Sequence, residues 1–313
     1  MSSPKMPLEM TPVSWGLVLL AALIAGFIWV AVVERTRLAT DSQVITLRKG
    51  GQPDFRWRLL HISDLHRNGR SPFSRWRLRR YARRIAALAY DVVVFTGDLV
   101  DDGAGIKPAV AFLAEVAGGR PVFAVLGNHD YHRYSSLENI LNVHTLRNLG
   151  LVVDIPPNDY LVTLKEAVEG AGMALLNNRG QLVRAGNAEV WLTGVDDLML
   201  GRPDLNQALK NAPPGVPVIL LSHNPDIYPW ADLARVDVVL SGHTHGGQVC
   251  LPGIGPVLTR CTIGRKHAAG LSRLGDSVLH VSRGLGETLP LRLNCPSQAT
   301  IIEIRGEQEN KGQ

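Results

Sequence analysis

Cysteine is scarce in these 313 residues: only Cys250, Cys261 and Cys295 occur, and no Cys-x-x-Cys pair is present. An odd and scattered trio excludes a disulfide framework and a cysteine-built zinc site, and points to reduced thiols in a cytosol-facing domain. Charge is limited too, at 19% of residues against 45% hydrophobic, too apolar a balance for a disordered chain. Only one uncharged run is long enough to cross a bilayer as a helix, so a polytopic membrane protein is not indicated. No internal repeat and no low-complexity tract appears. The length suits one large domain or two ordinary ones.

The uncharged run covers residues 13–33 and follows a short N-terminal tail, residues 1–12. As an α-helix, at roughly 1.5 Å per residue, it would span about 30 Å, the thickness of a hydrocarbon core. A cleaved signal peptide would have a shorter apolar centre, several basic residues ahead of it and a small-x-small site behind it. Here only Lys5 precedes the run and Glu34-Arg35-Thr36-Arg37 follows it, so a retained single-pass anchor is expected. Arg35, Arg37, Arg48, Lys49, Arg56 and Arg58 all lie on the C-terminal side, which the positive-inside rule places in the cytoplasm. From residue 34 to residue 90 there are 14 Arg and Lys against 4 Asp and Glu. A basic block beside an anchor suits anionic headgroups or a phosphorylated substrate, with nucleic acid as the alternative partner.

Residues 34–55 read as a linker that ends in Gly50-Gly51 and Pro53, residues 56–305 as the folded domain, and 306–313 as a tail. In the domain, β-branched runs alternate with helical stretches. Strands are predicted at 57–63, 91–96, 122–126, 190–193, 216–222, 236–241 and 278–282. Helices are predicted near 74–89, 106–117, 135–149, 204–211 and 227–234. This alternation argues an α/β domain or an α/β sandwich.

Five of these strands end in metal-type ligands. The first runs into Asp64-Leu65-His66, the second into Gly97-Asp98, the third into Gly127-Asn128-His129-Asp130. Two later strands run into Ser222-His223 and Gly242-His243-Thr244-His245. Any one of these alone is commonplace, because a single His at a strand end is usually a hydrogen-bonded structural residue. Five in order are not explained by chance. Sites in open α/β sheets form beyond the carboxyl ends of strands, so one pocket could collect all of these groups. Gly97, Gly127 and Gly242 suit sharp turns where backbone passes close to an ion. Mixed imidazole and carboxylate donors favour a divalent metal, Mn first, with Fe, Zn or Mg as alternatives.

This ordered set resembles the calcineurin-like metallophosphoesterase superfamily, whose pattern is Asp-x-His, Gly-Asp, Gly-Asn-His-Asp/Glu, a lone His, then Gly-His-x-His. Every element is present from Asp64 to His245. Within the superfamily the chain resembles small membrane-associated bacterial phosphodiesterases of the YaeI and YkuE type, to which an enzyme cleaving UDP-2,3-diacylglucosamine is related. His223-Asn224-Pro225-Asp226, Gly242-His243-Thr244-His245-Gly246-Gly247-Gln248, Arg283-Gly284 and Leu291-Arg292-Leu293-Asn294-Cys295 carry that finer likeness. The resemblance implies a four-layer α/β/β/α sandwich and two divalent ions. It implies that Asp64, His66 and His245 hold one ion and Asn128, His223 and His243 the other, with Asp98 between them. His129 would stay unligated as general acid or charge stabiliser, oriented by Asp130.

Two features surround that set. Arg70, Arg75, Arg79, Arg80 and Arg83, with Arg77 and Arg84, form the basic face of an amphipathic helix after the first motif, suited to substrate or headgroups, or simply solvated. Residues 131–160 look longer than a compact member of that branch needs, and are expected to form a cap over the site or an ordinary core helix and strand. His61, His132, His144, His267 and His280 read as structural or surface residues. The expected function is hydrolysis of a phosphodiester or pyrophosphate in a lipid-linked substrate. A soluble or nucleic-acid substrate, and a non-enzymatic membrane scaffold with a structural metal, are the competing readings.

Overall fold

The computed structural model describes residues 11–47, 55–69, 71–134, 158–186 and 188–306. Helix α1 (Pro12–Ile28) starts where the Thr11 hydroxyl accepts from the Ser14 amide and Pro12 fills the first turn. The helical course continues through a π turn at Trp29–Val33 and a 3-10 turn at Glu34–Thr36. The helical course Pro12–Thr36 covers 25 residues; none of its most apolar stretch is buried in the domain, whereas Glu34 at its foot is. At about 1.5 Å per residue such a helix exceeds the roughly 30 Å of a hydrocarbon core.

In chain order the strands are β1 (Leu38–Leu47), β2 (Arg56–Ile62), β3 (Val92–Thr96), β4 (Val122–Val125), β5 (Ala174–Leu175), β6 (Arg179–Ala185) and β7 (Ala188–Gly194). They continue with β8 (Val218–Leu221), β9 (Val238–Ser241), β10 (Cys250–Leu251), β11 (Gly255–Pro256), β12 (Gly270–Leu274), β13 (Ser277–Val281) and β14 (Ser297–Gly306). The helices after α1 are α2 (Pro72–Ala86), α3 (Ile106–Ala117), α4 (Asn128–Tyr131), α5 (Leu161–Gly170), α6 (Leu205–Leu209) and α7 (Tyr228–Leu233).

One sheet has the order β1-β14-β2-β3-β4-β5 and the other β12-β13-β9-β8-β7-β6. β2 through β5 are parallel, as are β7, β8, β9 and β13, and the outer strands β6 and β12 join antiparallel. The period-two alternation of a strand sends neighbouring residues to different cores. Leu60, Val93 and Phe95 meet Leu78, Ile85, Leu113 and Leu164 of the helices on one outer face. Leu59, Val92 and Val94 turn the other way and meet Ile219, Leu221, Val238 and Leu240 across the two sheets. Leu220 and Val239 face Tyr228 and Ala231 on the far side. Three cores separate four layers, which is the expected α/β/β/α sandwich. Strands with both faces buried must be apolar throughout, which is why they were readable as uninterrupted runs.

One expectation fails here. Residues 38–47, read as linker, are the ten-residue strand β1, parallel to β14 in full register from Leu38 opposite Ser297 to Leu47 opposite Gly306. β1 lies at the sheet edge, so Thr40, Asp41, Ser42 and Gln43 sit on it with only Leu38, Ile45 and Leu47 buried among its apolar residues. Helix α5 was also not anticipated. The helix expected at 135–149, and most of the expected cap, lie outside the described residues.

Candidate dinuclear metal centre

The ligand motifs follow β2, β3, β4, β8 and β9, whose carboxyl ends are neighbours within each sheet. The His223 ring joins the two sheets, its Nδ1 donating to the Thr96 carbonyl at 2.8 Å. All seven expected ligands are buried and come together. Asp64, His66, Asp98 and His245 each bring a ligand atom into one group whose members lie within 4.8 Å of one another. His66 Nε2 is 3.0 Å from His245 Nε2, which is 3.4 Å from Asp64 Oδ1. On the other side, Asn128 Oδ1 is 3.1 Å from both His223 Nε2 and His243 Nδ1, themselves 3.2 Å apart. Asp98 Oδ2 stands between the two groups, 3.5 Å from His66 Nε2 and 3.1 Å from His223 Nε2.

These donors fit cations. His66 Nδ1 faces the Asp101 carboxylate at 2.7 Å, His223 Nδ1 the Thr96 carbonyl, and His243 Nε2 the Arg260 carbonyl at 3.2 Å. Each of those acceptors needs an N–H, so the second ring nitrogen turns its lone pair toward the centre. The Asn128 amide donates from Nδ2 to the Tyr134 hydroxyl at 3.0 Å, which turns its oxygen inward. Burial would lower His66 and His223, but Asp101, Asp98 and Asp64 reverse this for His66, at about 9, and Asp98 and Asp64 reverse it for His223, at about 10. The carboxylates therefore demand positive charge at this point, from protons or from metal ions. His243, by contrast, is pushed down to about 3 by burial and by His223.

The backbone is strained where it supports these groups. Among the described residues ten non-glycine residues have positive φ, and half of them are Asp64 (51°), His66 (46°), Asp98 (58°), His243 (70°) and His245 (52°). Each such residue costs on the order of 1–3 kcal/mol, and such strain gathers at functional sites. The glycines are explained by contact rather than by turns alone. A Cβ on Gly242 would lie 2.5 Å from Asp64 Oδ2, and one on Gly127 would lie 2.3 Å from Asp98 Oδ1.

His129 stands beside the centre, its ring 4.4 Å from that of His66 and 4.4 Å from Tyr134. Its expected orienting partner is corrected. Asp130 does not touch the His129 ring; its carboxylate accepts from the amides of Leu99, Val100 and Gly127 at 2.9–3.0 Å and so staples two site loops together. Burial, helped by Asp98, pushes its carboxyl up to about 7. Asp101 orients the ring instead, its Oδ1 3.1 Å from His129 Nδ1 while also holding His66. Asp101 escaped sequence reading because it lies outside the ligand motif, although its place three residues after Asp98 was a signal. His61 and His280 stay structural, their Nδ1 atoms 2.8 Å apart in the interior. Arg75, Arg79, Arg80 and Arg83 are exposed on the outer face of α2 and do not reach the metal donors, whereas Arg77 of the same helix is buried. Arg70 lies outside the described residues.

The family model for calcineurin-like phosphoesterases matches residues 58–247, the span that holds all seven expected ligands. The chain belongs to the calcineurin-like phosphoesterase family. This phosphoesterase is 29% identical over 220 residues to an uncharacterised metallophosphoesterase, YkuE, of Bacillus subtilis, covering 69% of the chain and 68% of that protein. It is 28% identical over 312 residues to the UDP-2,3-diacylglucosamine pyrophosphatase LpxG of Chlamydia trachomatis, covering 91% and 94%. It is 28% identical over 225 residues to the phosphodiesterase YaeI of Escherichia coli, covering 68% and 70%. The enzyme is a metal-dependent phosphoesterase with a buried dimetal site.

Proposed function

We propose that this phosphoesterase is held on the cytoplasmic side of a membrane by α1 and cleaves a phosphodiester or pyrophosphate bond in a lipid-linked substrate. UDP-2,3-diacylglucosamine is the first compound to try. The observation that carries the reading is Asp98 Oδ2 placed between two donor groups, the geometry of a bridging carboxylate. The substrate class is supported by the likeness to LpxG, which extends over nearly the full length of both chains.

In this reading Asp64, His66 and His245 would hold one ion and Asn128, His223 and His243 the other, with Asp98 standing between the two sets. Mn is the first candidate for a set of mixed nitrogen and oxygen donors, with Fe, Zn and Mg as alternatives. A divalent pair supplies charge neutralisation on phosphate oxygens and a water acidic enough to attack near neutral pH. The chain's own residues do the rest. Asn128 binds without adding a negative charge that would repel phosphate. His129, with Nδ1 engaged by Asp101, presents Nε2 to the leaving oxygen and either protonates it or stabilises its charge. The chain that leaves at Tyr131 returns at Asn158, whose amide donates to the Tyr131 carbonyl at 2.9 Å.

The test is a metal-reconstituted activity panel with bis-aryl phosphate, nucleotide-linked lipid and oligonucleotide substrates. Turnover of the lipid and the aryl ester is expected, and His129→Ala should lower kcat by about 100-fold or more while leaving bound metal unchanged. Unchanged turnover in that variant would refute the role of His129. Preference for the oligonucleotide would refute the substrate class.

A further inference from the structure

We infer that the β10–β11 hairpin inserts into the interfacial layer of the membrane beside the anchor, so that a lipid-linked phosphoester reaches the metal centre directly from the leaflet. This rests on the reading that α1 spans a membrane and that the substrate is lipid-linked.

The hairpin follows the last two ligands, His243 and His245, and exposes an unusual amount of apolar surface. Leu251 is 37% exposed, Ile254 64%, Val257 45% and Leu258 46%. Pro252 and Gly253 form a tight turn in which the Ile254 amide donates to the Leu251 carbonyl at 3.1 Å, with Gly253 at φ 75°. Proline before a positive-φ glycine is the sequence of a type II turn. Clustered exposed apolar side chains mark an interaction site.

What covers it is indicated by its neighbours. Asn294 donates from Nδ2 to the Cys250 carbonyl at 3.1 Å and from its amide to Glu34 Oε2 at 3.2 Å. Glu34 is the first charged residue after the apolar run, so one asparagine ties the hairpin to the depth where the anchor leaves the bilayer. The next residue, Arg35, is bound by Glu287, which also holds Arg77 of α2 at 2.5 Å. The foot of the anchor is therefore flanked by the apolar hairpin and by α2, whose outer face carries Arg75, Arg79, Arg80 and Arg83 around Trp76, 47% exposed. The Arg80 guanidinium lies 4.8 Å from the Trp76 ring centre. Apolar side chains for the acyl boundary, with arginine and tryptophan for anionic headgroups, are the composition of a surface that lies on a bilayer. The metal centre is close behind, since the Gly286 amide, one residue before Glu287, donates to the Asp64 carbonyl at 2.6 Å.

The test uses the full chain in nanodiscs of phosphatidylcholine and phosphatidylglycerol, with or without brominated acyl chains. Ile254→Trp is expected to add fluorescence that brominated lipid quenches, and an added signal immune to quenching overturns the inference, as it would if a protein partner covered the hairpin. Ile254→Asp with Val257→Asp should lower the ratio of the rate on an embedded lipid-linked phosphoester to the rate on bis-aryl phosphate by about tenfold, the scale of one buried apolar side chain. An unchanged ratio also overturns it. Failure of the parent chain to hydrolyse either ester would instead defeat the proposed function, and the quenching measurement would still decide the hairpin.

Discussion

Asp130 closes the Gly127-Asn128-His129-Asp130 motif and Asp101 lies three residues after Asp98, and the contacts of each assign it a different task. Asp101 holds the rings of His66 and His129, while Asp130 accepts three backbone amides. Asp101→Asn is expected to lower kcat on an aryl phosphodiester by about 10–100-fold, the usual cost of losing an outer partner of a metal-site histidine. Its melting temperature should stay near the parent's. Asp130→Asn places an NH₂ against an amide that needs an acceptor, and should cost about 1–3 kcal/mol of stability with kcat largely retained in the folded fraction. Steady-state kinetics and thermal melts of the two variants check this, and the reverse pattern would restore Asp130 as the orienting residue. His61 and His280 give a pH signature at the same scale. Burial lowers both, and His280 falls to about 4, so the folded state keeps them neutral while the unfolded chain takes up protons below about 6.5. Their stabilisation is complete above that value and is lost as pH falls from about 6.5 toward 4, at about 1.4 kcal/mol per unit for each proton. The double variant His61→Leu with His280→Leu should show a shallower acid limb in denaturant titrations at stepped pH; an identical slope would exclude the pair as a source.

At the scale of elements, β1 makes the segment after the apolar helix part of the fold. It covers the open edge of β14 and buries Ile45 and Leu47 in the core between the sheets. Each of those two side chains contributes about 1.5–3 kcal/mol. A chain that begins at residue 34 keeps β1 and the Arg35–Glu287 pair, and should fold and remain soluble without the apolar helix. A chain that begins at residue 48 loses both and should aggregate, which size-exclusion chromatography and circular dichroism will show. Equal behaviour of the two truncations would mean that β1 adds nothing to the domain. The inner strands were legible because both their faces are buried. β1 was not, because half of an edge strand meets water and its partner lies some 260 residues further on in the chain.

For the whole molecule, the buried carboxylates of Asp64 and Asp98 leave a charge that the fold does not neutralise except through protonated histidine or a bound cation. Chelation is therefore expected to abolish hydrolysis and to lower the melting temperature by about 5–10 °C, the effect of losing a ligand held well above its dissociation constant. Mn should restore both, and a ranking against Fe, Zn and Mg by calorimetry would overturn Mn if another ion restores more. By itself the sequence determined the long apolar helix, the alternating strands and helices, the seven expected donors that meet at one buried site and the family they resemble, because each is a local pattern of residue types. Only the tertiary structure decided that Asp101, not Asp130, contacts the His129 ring, that Asn294 and Glu287 fasten the foot of the apolar helix to the catalytic domain, and that the segment after that helix is a strand. Those contacts join residues far apart in the chain, and their partners are chosen by packing and by the direction of individual hydrogen bonds, which no spacing along a chain encodes.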